Sequence, residues 1–537
     1  MQQHPPICAL FLTKFDVHTG YDLKWFKSVD DTVYTSKNLE FKSLPSGLHS
    51  VSSDTICFVT EKMGTDSMLY GLSVFKQNNH LQQVDFNGQV DRSKVKMYSL
   101  GVLIDPKHIE SMEEYKDWKA KTYSAMWSYK SELFQMLKNF MNLTNAEQEA
   151  DFDTKFSTFF KDNAFKGSNN LLESEESTLK SSKSQLQLPQ LSLKPVASKS
   201  SMVSALSDSD FQSDDHMVDY LIPFVKDFGP LIFKIWKISL LRKAIIIHSP
   251  YTTSITHVEG NEEVTHENFS ISDMSKLLFC ISLISAVPKE IEEKLEQSTQ
   301  KSNESMLFNR PIYNVCVNDI FELAKLETNY LASTTDQIII EKDTMYDYSI
   351  KLPQRSYSDT QNVPEITNTH THRIEYATCR DKERFKIIYS KLFNTQECSA
   401  IADQVCEARS FQELIWTGLS WWATAGESFK GVYEEFELEF EMFDNMSIDN
   451  VEKLITIVGY FQRMTIRLFT TVIELLHQLE NENEKSNILV LDSHDILEMG
   501  LDPYSTSDCA FIIEFVKVWW NKEAKIGSYC DGLCYWS

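Results

Sequence analysis

Residues 228–250, FGPLIFKIWKISLLRKAIIIHSP, decide the fold of this chain. Gly229 and Pro230 mark the start of a helix, because proline is favoured at the first helical position. Residues 231–241 are then apolar except for two lysines and one serine, and a second apolar run, one alanine and three β-branched isoleucines, follows at residues 244–247. This pattern predicts a three-turn helix that is buried on more than one side and leads directly into a buried strand.

A membrane-spanning helix is the alternative interpretation of the same stretch. Such a span needs about 20 apolar residues in succession. Four cations interrupt the stretch: Lys234, Lys237, Arg242 and Lys243. We therefore favour the buried helix and strand, and we predict no transmembrane segment.

The composition narrows the classes of protein to be considered. With 537 residues, the chain has room for two or three domains. Its net charge of −25 argues against nucleic-acid binding, which depends on Lys and Arg neutralising phosphates. The ten cysteines are scattered and several lie in apolar runs, as Cys57 and Cys280 do, which is typical of buried thiols in a reducing compartment. No signal peptide is visible in residues 1–6, so we predict a cytoplasmic protein.

The first part of the chain is predicted to form an antiparallel sheet followed by helices. Strand patterns occur at residues 7–15, 55–60, 69–76 and 95–104, with tight turns between them. Residues 111–166 then carry aromatic side chains at helical spacing, which predicts a helical insertion whose aromatic face is used for packing.

Residues 167–217 differ from the rest, because they are rich in Ser, Lys, Gln and Asp. Such a segment cannot bury enough apolar surface to offset the entropy of ordering, so we predict a disordered linker. Ser207 and Ser213 lie among acidic residues near its end and are candidate phosphorylation sites for an acid-directed kinase. A solvated charge run is the alternative interpretation.

Residues 218–350 alternate helix and strand patterns, which predicts a mostly parallel sheet covered by helices. After the opening stretch come a buried helix over residues 274–287, a strand over 310–317, a helix capped by Asn318 or Asp319, and a strand over 330–340. We predict a loop for residues 351–372 and a mainly helical part for residues 373–537. The whole chain is therefore predicted to be an α/β protein.

Several blocks, taken in order, resemble a DENN domain of the LCHN-type, or fungal Avl-nine-related, group. They are the opening stretch with its LLRK, FKSLPSGLH at residues 41–49, RPIYNVCVNDI at 310–320, YLASTTDQIII at 330–340, and WWATAG at 421–426. The resemblance implies a longin-like lobe in residues 1–110, a DENN lobe in residues 218–350 and a helical downstream region. It also implies guanine-nucleotide exchange on a Rab-type GTPase in vesicle traffic.

In this family the GTPase docks between the two lobes, so the resemblance implies partner contacts from both. The candidate residues are Leu44, Pro45 and Gly47 in the first lobe, and Asn314 and Asp319 in the second. Turn geometry and helix capping are the alternative explanations for the same residues. An exchange factor binds the nucleotide-free partner more tightly than the loaded one, so neither a catalytic side chain nor a cofactor is expected.

The absence of common catalytic and nucleotide-binding motifs agrees with a binding protein. The sequence contains no phosphate-binding loop, dinucleotide fingerprint, His-Glu-x-x-His or Gly-x-Ser-x-Gly elbow. A non-catalytic trafficking scaffold is the main alternative to an exchange factor. A GTPase-activating protein would need a projecting arginine, and Arg310 and Arg355 are the candidates by their position near loops.

Cys530 and Cys534 lie beside three aromatic residues near the end of the sequence. Acylation together with aromatic contact would supply two weak anchoring signals, which predicts peripheral attachment to a membrane. A packed terminal turn is the alternative interpretation.

Overall fold

A computed structural model of the protein describes residues 4–16, 18–46, 48, 51–65, 67–78, 95–112, 115, 119–165, 216–249, 257–259, 262–264, 269–298, 304–326, 329–353, 363–395, 401–408, 450–481 and 488–527. These residues fall into two units, Met1–Ser204 and Ala205–Ser537. The predicted linker at 167–217 lies outside the described residues except for its last two. The finer division at residues 110, 166, 217, 350 and 372 stays a prediction.

The first unit is built on a five-stranded antiparallel sheet. Its strands are β1 (Ala9–Asp16), β2 (Gly20–Ser28), β3 (Ser53–Glu61), β4 (Met68–Gln77) and β5 (Met97–Ile104), in the order β2-β1-β5-β4-β3. Its helices are α1 (Leu39–Lys42), α2 (Pro106–Glu110), α3 (Lys119–Ser124), α4 (Lys130–Met141), α5 (Asn145–Asp151) and α6 (Ser157–Asn163). The predicted antiparallel sheet is confirmed. Strand β2 was missed, because it is an edge strand with no fully buried side chain.

Buried side chains on both sheet and helices form the core of this unit. Every residue of β5 is buried, and α4 packs on β4 and β5 through Leu133, Leu137 and Phe140. The ring of Phe140 lies 5.6 Å from that of Tyr98 on β5. The aromatic stripe is thus a packing face, as predicted, although a 3-10 turn at Ala125–Tyr129 interrupts the helix.

The second unit holds most of the helices. Its strands are β6 (Ile245–His248), β7 (His257–Glu259), β8 (Glu262–Val264), β9 (Arg310–Asn314), β10 (Tyr330–Thr334), β11 (Tyr348–Lys351), β12 (Glu365–Asn368), β13 (Arg373–Glu375), β14 (Ile488–Leu491) and β15 (Glu523–Ile526). Its helices are α7 (Leu221–Phe228), α8 (Leu231–Leu240), α9 (Ile271–Ile284), α10 (Lys289–Ser298), α11 (Glu304–Leu307), α12 (Ile320–Leu326), α13 (Gln337–Ile340), α14 (Cys379–Phe393), α15 (Ile401–Gln404), α16 (Asn450–Asn481), α17 (Ser493–Glu498) and α18 (Thr506–Trp520).

The main sheet of this unit has six strands in the order β13-β12-β11-β6-β10-β9. The four strands β11, β6, β10 and β9 are parallel, and β12 and β13 are antiparallel. The opening stretch of the sequence forms α8 and β6, and every residue of α8 is buried. The prediction of a buried helix leading into a central strand is confirmed, as is the mostly parallel sheet.

Two secondary-structure predictions in this unit were wrong. The strand predicted over residues 330–340 ends at Thr334, and its last isoleucines form α13. The loop predicted for residues 351–372 contains β12, which is polar because it lies near the sheet edge. The mainly helical region after residue 373 is confirmed, and it also contains the short strands β13, β14 and β15.

No single helix in the described part of the chain is long and apolar enough to cross a membrane. Helices α9 and α10 together meet the length and composition criteria, but the pair is bent by 53°.

Candidate partner-binding site

Two short loops follow β9 and β10 at the same edge of the parallel sheet. After β9, Cys316 caps a 3-10 turn, Val317–Asp319, that leads into α12. The backbone N–H of Cys316 donates to Oδ2 of Asp319 (2.8 Å), as in a capping box. The N–H of Val317 donates to Oδ2 of Asp336 in the loop after β10 (3.1 Å). Hydrogen bonds therefore hold the two loops together.

Three apolar side chains on these loops and on the short helices that follow them, α12 and α13, are exposed, and they are named here the strand-end patch. The exposed fractions are 40% for Val317, 82% for Phe321 and 53% for Ile338. Val317 and Phe321 are four residues apart and so share one face of the helical segment. In open α/β sheets, ligands bind beyond the carboxyl ends of the strands. Exposed apolar patches also mark interaction sites, so the strand-end patch is a candidate surface for a macromolecular partner.

The two residues predicted to contact a partner here are themselves buried. Asn314 ends β9, and Asp319 lies in the first turn of the helical segment. Neither Asn318 nor Asp319 is the helix N-cap that the sequence predicted. The strand ends earlier than expected, so the cap is Cys316 and Asp319 completes the capping box. The side chain of Asp319 thus supports the loop that presents Val317 and Phe321.

The predicted partner-binding turn of the first unit, at Leu44 and Pro45, is also held in place by buried hydrogen bonds. Leu44 and Pro45 are buried. Just before them, the carbonyl of Ser43 accepts hydrogen bonds from the hydroxyls of Ser73 and Ser99 on the sheet (2.8 Å each). These buried bonds fix the position of the turn on β4 and β5.

An aromatic patch lies near this turn in sequence. The ring of Tyr21 lies 5.1 Å from that of Phe15 and 5.3 Å from that of Phe41. Tyr21 and Phe41 are exposed. Phe41 is the first residue of the FKSLPSGLH block. As at the strand-end patch, an exposed aromatic side chain therefore lies close in sequence to predicted residues that are themselves buried.

Of the two arginines expected for a GTPase-activating protein, the one that the structure describes does not lie at the strand-end patch. Arg310 is half-buried and begins β9, so it lies at the opposite edge of the sheet from the loops after β9 and β10. The other sequence-predicted site residues lie outside the described residues. They are Gly47, Ser207, Ser213, Arg355, Cys530 and Cys534.

A cleft of about 390 Å³ opens in the second unit beside β13. On its wall, Nζ of Lys234 lies 2.6 Å from Oε2 of Glu375. Nζ of Lys237 lies 2.7 Å from Asp381 and 2.6 Å from Asp508. Burial alone would lower the pKa of Lys237, but the two carboxylates raise it above its usual value. Both lysines are therefore held in ion pairs.

The lining of the cleft also includes the carboxylates of Glu375, Glu407 and Glu514. Burial raises the pKa of Glu407, which lines the cleft. His370, in the turn before β13, lies 2.9 Å from Asp347. Within the described ranges, no group of three or more His, Cys, Asp or Glu side chains could hold a metal ion.

Comparison with known proteins identifies the family. The sequence profile of DENN domain-containing protein 11 matches residues 10–362, about two thirds of the chain and including strands β1 to β11. The chain belongs to the DENN domain-containing protein 11 family. A second profile, a domain of unknown function (DUF4484), matches residues 473–535.

Individual relatives agree with this assignment. The chain is similar to the uncharacterized protein ANR2 of Saccharomyces cerevisiae, with 27% identity over 99% of this chain and 94% of that protein. It is also similar to DENN domain-containing protein 11 of Xenopus laevis, with 24% identity over 71% of this chain and 65% of that protein. The mouse protein of the same name is 22% identical over 71% of this chain and 63% of its own length.

Proposed function

We propose that this DENN-family protein is a guanine-nucleotide exchange factor for a Rab-type GTPase in vesicle traffic. It would act by binding the nucleotide-free GTPase more tightly than the loaded form, which requires a surface rather than a reacting group. The observation that carries the proposal is the strand-end patch, three exposed apolar side chains on two loops and the short helices that follow them, with the loops joined by hydrogen bonds. These loops belong to the blocks that resemble the DENN domain.

Phe321 is the anchor that we expect to matter most in this surface. A few aromatic and aliphatic side chains usually carry most of the energy of a protein interface. Phe321 is the most exposed large apolar residue in the described ranges. Its exposure also means that a substitution should affect binding and leave folding largely unchanged.

Replacing Phe321 with aspartate is expected to reduce nucleotide release from the responsive Rab to its uncatalysed rate. The charge would be desolvated in the complex, while the free chain should melt like wild type because surface substitutions usually change stability by less than about 0.5 kcal/mol. The measurement is release of a fluorescent guanine nucleotide, together with thermal unfolding. Val490→Asp is the control, because Val490 is also an exposed apolar residue but lies on β14, which belongs to a different sheet from β9 and β10.

Two results would contradict the proposal. If Phe321→Asp accelerates nucleotide release as fast as wild type, the strand-end patch is not part of the exchange surface. If the wild-type chain captures a nucleotide-free Rab from a panel but accelerates release from none, the protein is a trafficking scaffold, our second candidate.

Replacing Asp319 with alanine is expected to lower the free energy of unfolding by about 1 kcal/mol, because the acceptor for the N–H of Cys316 is lost. Asp319→Asn keeps an oxygen acceptor and should unfold nearly like wild type. Denaturant titration of both variants measures the difference. If Asp319→Asn is stable but accelerates nucleotide release poorly, the charge of Asp319 contributes to binding the partner. If Asp319→Asn and wild type accelerate release equally, Asp319 only supports the loop.

We further propose that the chain falls in the LCHN-type, or fungal Avl-nine-related, group and is cytoplasmic. The full-length similarity to a yeast protein and the WWATAG block support the grouping. Acylation of Cys530 and Cys534, with peripheral membrane attachment, and phosphorylation of Ser207 and Ser213 remain part of the proposal. Hydroxylamine-sensitive labelling of the wild type, absent from a double serine variant, would test the acylation.

A further inference from the structure

Strand β13 forms one edge of the six-stranded sheet. In the part of the chain that the structure describes, it pairs only with β12. The pairing of β11 with β12 shows which backbone N–H and C=O groups of β13 point away from β12. The N–H of Thr369 donates to the carbonyl of Asp347 (2.9 Å), at the position that continues the register of β11 and β12. Every second residue of β12, counted back from Thr369, therefore bonds to β11.

The intervening residues of β12 must bond to β13. They are Ile366 and Asn368, which lie opposite Glu375 and Arg373. The backbone groups of Glu375 and Arg373 are thus directed at β12. The N–H and C=O of Ile374, between them, point away from the sheet, so this edge can accept another strand.

The side chains along this edge have a distinct pattern. Ile374 and, just beyond the strand, Tyr376 are exposed apolar residues. Arg373 is exposed and has no ion pair with another described residue. Glu375 is half-buried, and its carboxylate contacts Lys234 on α8. The edge therefore presents a cation, an apolar residue and an anion in succession.

We propose that β13 pairs in antiparallel fashion with β13 of a second copy of this chain, across a twofold axis at Ile374. The sequence Arg373-Ile374-Glu375 is complementary to itself in this arrangement. Ile374 lies opposite Ile374 as a hydrogen-bonded pair, which uses the outward N–H and C=O groups of both copies. Arg373 of each copy lies opposite Glu375 of the other.

The geometry of an antiparallel ladder favours the pairing of Arg373 with Glu375 of the other copy. Pairs that flank a hydrogen-bonded pair have the closer side chains, and opposite charges facing each other stabilise the sheet. The two Arg–Glu pairs would lie on the same face, beside the cleft. A self-complementary patch of this kind is what a twofold interface requires.

Charge exchange tests the proposal in the full-length protein. Sedimentation velocity over a concentration series should show wild type in a monomer–dimer equilibrium. Arg373→Glu and Glu375→Arg should each weaken dimerisation by about tenfold or more, because like charges then face each other at both positions. An equimolar mixture of the two variants should dimerise again, since every facing pair is then Glu with Arg.

Ile374→Pro provides a second test that is independent of the Lys234–Glu375 contact. Proline is tolerated at a sheet edge where the missing N–H points to solvent, so pairing with β12 should survive. We expect this variant to melt like wild type and to remain monomeric. The proposal is overturned if wild type stays monomeric throughout the series, if the three variants dimerise like wild type, or if the mixture of charge variants fails to recover the dimer.

Discussion

Replacing Lys237 with methionine is expected to lower the free energy of unfolding by about 3–5 kcal/mol. Lys237, Asp381 and Asp508 are all buried, and the lysine bonds to both carboxylates. Methionine fills a similar volume but leaves two carboxylates facing each other without a cation. Removing one partner of a buried ion pair is far more costly than replacing the whole group, because the remaining charge is uncompensated.

Two comparisons make this expectation specific. Lys243→Met is the matched control, since Lys243 pairs with Glu514 (2.5 Å) where both side chains are partly exposed, and such pairs contribute about 0–1 kcal/mol. Adding Asp381→Asn and Asp508→Asn to Lys237→Met should restore part of the lost stability, because asparagine keeps an oxygen acceptor and removes the charge. Equilibrium denaturation of the four chains measures the differences. Equal stability of Lys237→Met and wild type would show that the ion pairs are energetically unimportant.

The sequence predicts those parts of this fold that depend on local patterns. The apolar run in α8 has no polar face, which favours a buried helix once four cations argue against a membrane span, and the isoleucine run after it favours a buried strand. The 32-residue helix α16 is likewise visible as a stripe at helical spacing. In each case the signal lies within one continuous segment.

Long-range features could not be predicted in this way. The carboxylates that bind Lys237 lie 144 and 271 residues away in sequence, and nothing local distinguishes Asp381 or Asp508 from surface acids. The strand predicted at residues 330–340 shows a related limit. Three β-branched isoleucines suggested a strand, but the chain turns at Asp336, whose carboxylate accepts the N–H of Val317 from another loop.

The partner-binding residues proposed from the resemblance stay a prediction, and the structure adds how exposed four of them are. The blocks that resemble the DENN domain carry Leu44, Pro45, Asn314 and Asp319, but these four side chains are buried. Fractional exposure depends on which neighbours cover a residue, and a single sequence does not contain that information. Phe321 lies in a short helix, IFELAKL, whose residues are mostly apolar, so the sequence gives no local signal that this ring is the exposed one.

Arg242, the arginine of the LLRK block, is the second residue whose loss should be severe. Its guanidinium is buried and donates hydrogen bonds to the carbonyls of Ser239 (2.8 Å), Ser285 (3.3 Å), Met306 (2.5 Å) and Leu307 (3.3 Å). It also lies 5.1 Å from the ring centre of Trp519 on α18. Burial lowers the pKa of Arg242 to about 9. One side chain thus ties the end of α8 to three other segments.

The backbone conformation of Arg242 makes it possible to measure the contribution of its side chain separately from the cost of its φ angle. Its φ of 55° lies in the left-handed region, which costs a residue other than glycine about 1–2 kcal/mol. Arg242→Gly would relieve this strain, whereas Arg242→Ala would keep it. Both substitutions leave carbonyls without their donor, and each buried polar group left unsatisfied costs about 1–3 kcal/mol.

We expect Arg242→Ala to lower the free energy of unfolding by at least about 3 kcal/mol, and Arg242→Gly to lower it by roughly 1 kcal/mol less. Arg242→Lys should fall between wild type and alanine, because one ammonium group cannot match the planar fork that reaches several carbonyls at once. Denaturant unfolding of the three variants measures this order. If Arg242→Gly were more stable than wild type, the guanidinium bonds would be worth less than the backbone strain, and the LLRK arginine would have to be explained by something other than the stability of this core.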